Sequence, residues 1–97
     1  MSDELTDELK EKLIQIMTNE LPVLRAKVGL SQQDLANKMG ISRQAYGVME
    51  NKKQRMTWQN FITLLLLFRS NSDTKKMLYY IGAYPLELEQ YLKMNGD

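Results

Sequence analysis

A chain of 97 residues forms at most one domain, and its 43% hydrophobic and 26% charged residues are ordinary for a globular protein. It has no cysteine and no histidine, which excludes disulfides and cysteine-ligated metal sites and removes the commonest general base. The net charge is only +1 but unevenly spread, since residues 1–24 have two basic and six acidic side chains whereas residues 25–55 have seven basic and two acidic.

Nothing in the sequence predicts a leader or a membrane span. The N-terminus "MSDELTDELKEK" is acidic, and the longest apolar run, "FITLLLLF", is far shorter than the roughly 20 residues that a span needs. We therefore expect a cytoplasmic protein with no membrane contact. We also expect no enzymatic activity, cofactor or metal, because carboxylates such as Glu87 and Glu89 have no catalytic partner in the pattern.

The first predicted element is an amphipathic helix over residues 3–17, with acidic residues in its first turns where the helix dipole favours them. A second helical stretch, capped by Thr18 or Asn19, contains Pro22 and ends at Gly29. The pattern is compatible with two helices or with one kinked at the proline. The apolar stripe of the first stretch consists of Leu5, Leu9, Leu13, Ile16 and Met17.

Two short helices with cap signals follow. Ser31 precedes "QQDLANKM", with Asp34 placed for a capping box, and Gly40 ends this helix. Ser42 caps the next helix, "RQAYGVME". The inward faces are expected to consist of Leu35, Ala36 and Met39 in the first helix and of Ala45, Tyr46 and Met49 in the second.

The rest of the chain is also predicted to be helical. Thr57 caps "WQNFITLLLLF". A further helix is capped by Ser72 or Asp73 and ends at Gly82, and Pro85 begins a last helix, "LELEQYLKM". Because strand-like alternation is confined to short stretches such as "LELE" and helical spacing recurs along the chain, the sequence predicts an all-α fold of five to six helices.

The two central helices have the layout of a helix-turn-helix. Gly40 supplies the positive φ of a tight turn, and Ile41 fills the junction. In this layout the second helix enters the DNA major groove by its N-terminal end. Arg43 could pair with both acceptors of guanine, and Gln44 with the donor and acceptor of adenine. The outward residues at this end are Ser42, Arg43, Gln44 and Gly47.

The basic block of residues 25–55 coincides with this motif. A local excess of positive charge is expected where a protein binds phosphates. A positive face that is merely solvated is the alternative explanation of the charge alone.

Residues 24–65, "LRAKVGLSQQDLANKMGISRQAYGVMENKKQRMTWQNFITLL", look like the Cro/cI-type (xenobiotic-response-element, XRE) helix-turn-helix family of bacterial and phage repressors. The matching features are Arg25, "GLSQ", Leu35-Ala36, "GIS", and "EN" before a lysine-rich loop. The resemblance covers about residues 19–68. It implies a lambda-repressor-like DNA-binding domain and a transcriptional regulator, a repressor, that binds double-stranded DNA.

One position departs from the family. Tyr46 stands where the family more often has valine or isoleucine. We expect its ring to pack in the core and its hydroxyl to lie at the edge. The pattern also divides the chain into three segments, an N-terminal amphipathic helix (1–18), the helix-turn-helix core (19–69) and a C-terminal helical extension for packing or dimerisation (70–97).

The resemblance implies roles residue by residue. Arg43, Gln44 and Gly47 would contact bases. Arg25 and Glu50 match a pair that forms a structural salt bridge between the first helix and the recognition helix. The residues that would contact phosphates are Ser31, Gln32, Ser42, Asn51, Lys52, Lys53 and Arg55. Helix capping and a solvated loop are the simpler explanations for the serines and the lysines.

The expected oligomeric state follows from the geometry of operators, the DNA sites that repressors bind. A symmetric operator needs two recognition helices about 34 Å apart, so we expect a homodimer. The N-terminal stripe or a C-terminal apolar set could form its interface, or both flanks could fold back onto the core. An antitoxin-type protein, whose flanks neutralise a second protein while the motif represses its own operon, is the alternative function. The C-terminal set consists of Leu66, Leu67, Met77, Leu78, Tyr80, Ile81, Leu88, Tyr91 and Leu92.

Overall fold

The computed structural model describes residues 4–94, which form six helices and no strand. The expected all-α class of five to six helices is thereby confirmed. Asp3, the expected start of the first helix, lies outside the described residues. The helices are α1 (Asp7–Lys27), α2 (Gln32–Met39), α3 (Arg43–Glu50), α4 (Trp58–Arg69), α5 (Ser72–Tyr80) and α6 (Leu86–Tyr91).

The first helix, α1, is continuous over 21 residues. It begins at Asp7, later than expected, because the Thr6 hydroxyl caps it by accepting from the backbone N–H of Leu9 at 3.0 Å. Pro22 lies inside this helix on its exposed side. Pro22 has no N–H to donate to the carbonyl of Thr18, four residues earlier. Because the proline lies on the exposed side, water can bond to that carbonyl instead, and the helix continues through the proline rather than dividing in two.

The cap of α5 differs from the expectation. Asn71 caps this helix, with its Oδ1 accepting from the backbone N–H groups of Asp73 at 2.9 Å and Thr74 at 3.1 Å. Ser72 and Asp73, the expected caps, are therefore its first helical residues. The buried Thr74 hydroxyl donates to the Phe68 carbonyl, which fixes the register of α5 against α4.

The caps of α4 and α6 are as expected, but α6 is shorter. Thr57 Oγ1 accepts from the backbone N–H of Asn60 at 3.1 Å and starts α4. Pro85 precedes α6, which has no side-chain cap and ends at Tyr91 instead of continuing through "LKM". A helix this short depends on packing rather than on its own hydrogen bonds.

One hydrophobic core includes buried residues from all six helices. The long α1 packs against α3, α4 and α5, and α2 packs against α3 and α4. In the N-terminal stripe, Leu13 and Met17 are buried, and Leu5, Leu9 and Ile16 pack against the core. This flank therefore folds back onto the chain.

Within residues 4–94, no helix has the length and apolarity needed to cross a membrane. The same residues do not bring together three or more side chains of the types that hold a metal ion.

Candidate nucleic-acid interface

Cap and backbone hydrogen bonds fix the turn between α2 and α3. Ser31 Oγ accepts from the Asp34 N–H at 3.0 Å, and the Ser31 N–H donates to the Asp34 carboxylate at 3.3 Å, which completes the expected capping box. Gly40 ends α2 with a φ of 74°, a conformation that favours glycine. The Ile41 N–H then donates to the Ala36 carbonyl at 3.1 Å. The start of α3 is thus fixed relative to α2.

The first turn of α3 presents two polar side chains. Ser42 caps the helix by accepting from the Ala45 N–H at 3.0 Å. Arg43 and Gln44 are exposed, and within residues 4–94 neither side chain forms a hydrogen bond or an ion pair. Both are therefore available to a ligand.

The inward face of α3 differs from the expectation at one position. Tyr46 and Met49 are buried as expected, but Ala45 is exposed, and the third buried residue is Glu50. Ala45 lies about 100° round the helix from Tyr46, which places it outside the buried sector. Glu50 takes the inward position because its carboxylate has partners there.

Val48 also belongs to the outward face of α3, although it is not among the residues predicted from the sequence. It is half-exposed one turn after Gln44, and that spacing of four is the signal that could have found it. Gly47 beside it leaves open space, where only Gln32 Oε1 lies as close as 4.0 Å to the position of an added Cβ. A small apolar side chain here can contact the methyl group of thymine.

Glu50 joins three helices at one carboxylate. Arg25 of α1 donates from Nε to Oε1 at 3.0 Å and from Nη2 to Oε2 at 3.2 Å. Gln32 of α2 donates from Nε2 to Oε2 at 2.7 Å, and the Tyr46 hydroxyl donates to Oε1 at 2.7 Å. Because Glu50 is only 8% exposed, this network anchors the C-terminal end of α3 to α1 and α2.

The network favours a charged carboxylate. Burial raises the pKa of Glu50, but hydrogen bonds from Arg25, Tyr46 and Gln32 outweigh this and hold the pKa below its ordinary value of 4.5. The hydrogen bond to Glu50 in turn raises the pKa of the Arg25 guanidinium. Burial, and then the bond to Glu50, raise the pKa of the Tyr46 hydroxyl, so that it remains a donor.

Tyr46 differs from the expectation at its hydroxyl. Its ring packs in the core, and the whole residue is 0% exposed. The hydroxyl is buried against Glu50 instead of lying at the edge. Valine or isoleucine could not make this bond, so the tyrosine adds a donor to the network.

The loop after α3 presents exposed polar and basic side chains. Asn51 is the C-terminal cap of α3, and Lys52 takes a φ of 64°, the left-handed conformation that helices more often give to glycine at this point. The Lys53 N–H donates to the Val48 carbonyl at 2.9 Å and closes the turn. The side chains of residues 51–53 are therefore exposed next to the end of α3.

Arg55, the last residue of the expected phosphate set, is paired within the chain. Its Nε lies 2.9 Å from Oε2 of Glu11 on α1, and the two side chains remain 60% and 46% exposed. The hydrogen bond from Arg55 lowers the pKa of Glu11. A phosphate at Arg55 would have to compete with this carboxylate.

The expected phosphate residues on α2 and α3 have different surroundings. Ser31 and Ser42 each use the hydroxyl oxygen to accept from a helix N–H, which leaves the hydroxyl hydrogen free to donate. Gln32 is half-buried and uses one amide hydrogen on Glu50. The serines therefore stay available at helix N-termini, whereas Gln32 is tied to the buried network.

The structure thus places one group of candidate residues at each end of α3. Arg43, Gln44 and Gly47 lie on the first turns of α3, and residues 51–53 follow its other end. A helix of eight residues is about 12 Å long, which separates the groups by a little over two turns. The first group offers the guanidinium of Arg43 and the amide of Gln44, and the second offers the amide of Asn51 and the ammonium groups of Lys52 and Lys53.

The model of a helix-turn-helix family matches residues 24–66, from the end of α1 into α4. Both residues of the Arg25–Glu50 ion pair and all the candidate contact residues lie in this range. No curated protein and no solved structure shows significant similarity to the chain.

Proposed function

We propose that this protein, whose residues 24–66 belong to the Cro/cI-type helix-turn-helix family of DNA-binding domains, is a sequence-specific transcriptional repressor that inserts α3 into the major groove. The observation that carries the proposal is the capped start of α3, with Arg43 and Gln44 exposed. Glu50 anchors the far end of the same helix. At these positions the guanidinium of Arg43 can donate to both acceptors of guanine, and the amide of Gln44 can pair with the donor and acceptor of adenine. A regulator of this kind acts on DNA in the cytoplasm.

Residues around α3 would supply the affinity that does not depend on sequence. Ser31 and Ser42 lie at helix N-termini, where free N–H groups and the helix dipole favour an anion. Asn51, Lys52 and Lys53 are exposed next to the end of α3. Contacts from both ends of the motif to the phosphates would set the position of α3 in the groove.

The variant Lys53→Ala is expected to bind all duplexes more weakly by a similar factor, because a phosphate contact carries no sequence information. The plot of log K against log salt concentration should become less steep, with a slope smaller in magnitude by about 1. Fluorescence anisotropy of labelled duplexes over a series of salt concentrations measures both quantities.

The matched control for this experiment is Lys75→Ala, which removes an exposed lysine from α5. It should leave the affinity and the salt slope nearly unchanged. Equal salt slopes for Lys53→Ala and the wild type would exclude the phosphate contact. A wild-type protein that binds no duplex at low salt would contradict the proposed function itself.

The proposal includes a homodimer that forms through a groove between α1 and α5. The groove has a volume of about 500 Å³. Its lining includes Tyr80, which is 91% exposed, and Val23, which is 48% exposed, together with the half-buried Met77 and Ile81. An exposed aromatic ring beside an apolar groove is typical of an interaction surface.

The charges around this groove favour a second copy as its occupant. Glu20 and Lys27 on α1 and Lys76 on α5 line it, so a two-fold contact can bring a carboxylate of one copy near a lysine of the other. Arg25, which anchors α3, lies about 200° round α1 from Val23. A partner in the groove would therefore leave α3 uncovered.

Tyr80→Glu is expected to convert the dimer to a monomer, because it places a charge where an apolar contact forms. Sedimentation equilibrium measures the change. Leu66→Glu, at a 57% exposed position on α4 outside the groove, is the control and should stay dimeric. A wild-type monomer, or a dimer that survives Tyr80→Glu, would refute this interface. A monomer whose stoichiometric complex with a second protein is lost in Tyr80→Glu would instead support the antitoxin-type alternative.

A further inference from the structure

The orientation of the Gln32 amide follows from its partner. A carboxylate has only acceptors, so the amide nitrogen and not the amide oxygen must face Glu50. The Nε2 to Oε2 distance of 2.7 Å is that of a hydrogen bond to a charged group. Arg25 and Tyr46 hold the same carboxylate in place. The amide of Gln32 therefore has one preferred orientation.

This orientation places the Gln32 oxygen over the outer surface of α3. Oε1 lies 4.0 Å from the position that a Cβ on Gly47 would take, and no other heavy atom outside the local backbone is as near to that point. Within residues 4–94, no side chain or backbone group donates a hydrogen bond to this oxygen. A side chain at position 47 would lie against this oxygen, and glycine leaves that space open.

The chemistry of this atom selects its partner on DNA. A phosphate oxygen is an acceptor and cannot bond to another acceptor, whereas the major groove displays the amino groups of cytosine and adenine as donors. We infer that the Gln32 side-chain oxygen reads one base pair by accepting from such an amino group. The inference rests on the proposed placement of α3 in the groove. It gives Gln32 a role in specificity beyond the phosphate contact that the family resemblance implies.

Two roles of Gln32 have to be separated by the experiment, since Nε2 keeps one hydrogen that can still donate to a phosphate. The variant Gln32→Ala is tested against a set of duplexes in which each base pair of the selected site is changed in turn. Preference at one base pair should fall by about 3- to 10-fold, the effect of one lost hydrogen bond. This base pair should differ from those governed by Arg43 and Gln44.

Three results would overturn the inference. A uniform loss of affinity for all the duplexes would mean a phosphate contact only. Relaxed preference at the base pair governed by Arg43 would mean that Gln32 acts through that arginine. Unchanged preference everywhere would mean that it makes no base contact. Gln33→Ala is the matched control, because this neighbouring glutamine is exposed and bonds to Asn37.

A second variant tests the orientation itself. In Glu50→Gln the partner can also donate, so the Gln32 amide is free to turn while Gln32 remains present. Preference at the Gln32 base pair should then relax, with circular dichroism confirming that the variant is folded. Full preference there in folded Glu50→Gln would show that Glu50 does not set the orientation. A wild-type protein without preference for any duplex would count against the proposed function instead, so the two failures are distinguishable.

Discussion

The variant Glu50→Ala is expected to lose about 3 kcal/mol of unfolding free energy. Truncation leaves the Arg25 guanidinium, the Tyr46 hydroxyl and the Gln32 amide without their shared acceptor. Removing one partner of a buried ion pair costs about 3–5 kcal/mol, and the 22% exposure of the Arg25 side chain places the expected value at the lower end. Urea unfolding at neutral pH, followed by circular dichroism, measures the loss.

The control for this prediction is Glu87→Ala. Glu87 is an exposed carboxylate in the first turn of α6, and surface substitutions of this kind change stability by about 0.5 kcal/mol or less. A Glu50→Ala variant as stable as the control would show that the network contributes little to the fold.

The same network predicts a dependence on pH. The folded state holds the pKa of Glu50 below the ordinary value of 4.5, so below that value the unfolded state binds more protons than the folded state. The stabilisation is therefore complete above about pH 4.5 and is lost as the pH falls through the lowered pKa. Urea unfolding between pH 7 and pH 3 should show a shallower acid decline for Glu50→Gln than for the wild type. Parallel declines would exclude Glu50 as the responsible group.

The second large effect is expected on DNA. Arg43→Ala should lower the discrimination at one base pair by about 1–3 kcal/mol, because a guanidinium that pairs with both acceptors of guanine contributes that much. This corresponds to about 5- to 150-fold in the ratio of dissociation constants. Competition binding between the selected duplex and its single-base-pair variants measures the ratio.

Arg43→Lys is the control that separates charge from geometry. It keeps the positive charge but loses the planar fork, so non-specific binding should persist while discrimination falls. If Arg43→Lys and the wild type discriminate equally, Arg43 acts through its charge alone and does not read a base.

The local parts of this fold could be predicted from the sequence. Ser31, Gly40 and Ser42 act within a few residues of themselves, and the structure confirms their caps and the turn between them. The cap of α5 was predicted wrongly because Asn71, Ser72 and Asp73 are all capping residue types in succession. The observed cap, Asn71, accompanies a hydrogen bond from the Thr74 hydroxyl to the Phe68 carbonyl of α4, a contact between two helices that the capping pattern does not indicate.

The contacts within the site depend on residues far apart in the chain. Gln32 and Glu50 are 18 positions apart, and Glu11 and Arg55 are 44 apart, so no local pattern could indicate either pair. The burial of the Tyr46 hydroxyl could not be predicted for the same reason. Its acceptor, the Glu50 carboxylate, is buried only when the helices have packed together. Glu50 rather than Ala45 is buried on α3, because the partners of the Glu50 carboxylate, Arg25 and Gln32, come from α1 and α2.

Parallel selection of binding sites from random duplexes by the wild type, Arg43→Ala and Gln44→Ala tests the central claim most directly. If the first turn of α3 reads DNA, the wild type will enrich one defined sequence. Each variant will lose its preference at a single base pair, and the two positions will differ. If both variants enrich the wild-type sequence with the same stringency, α3 is not the recognition helix and the proposed function is wrong.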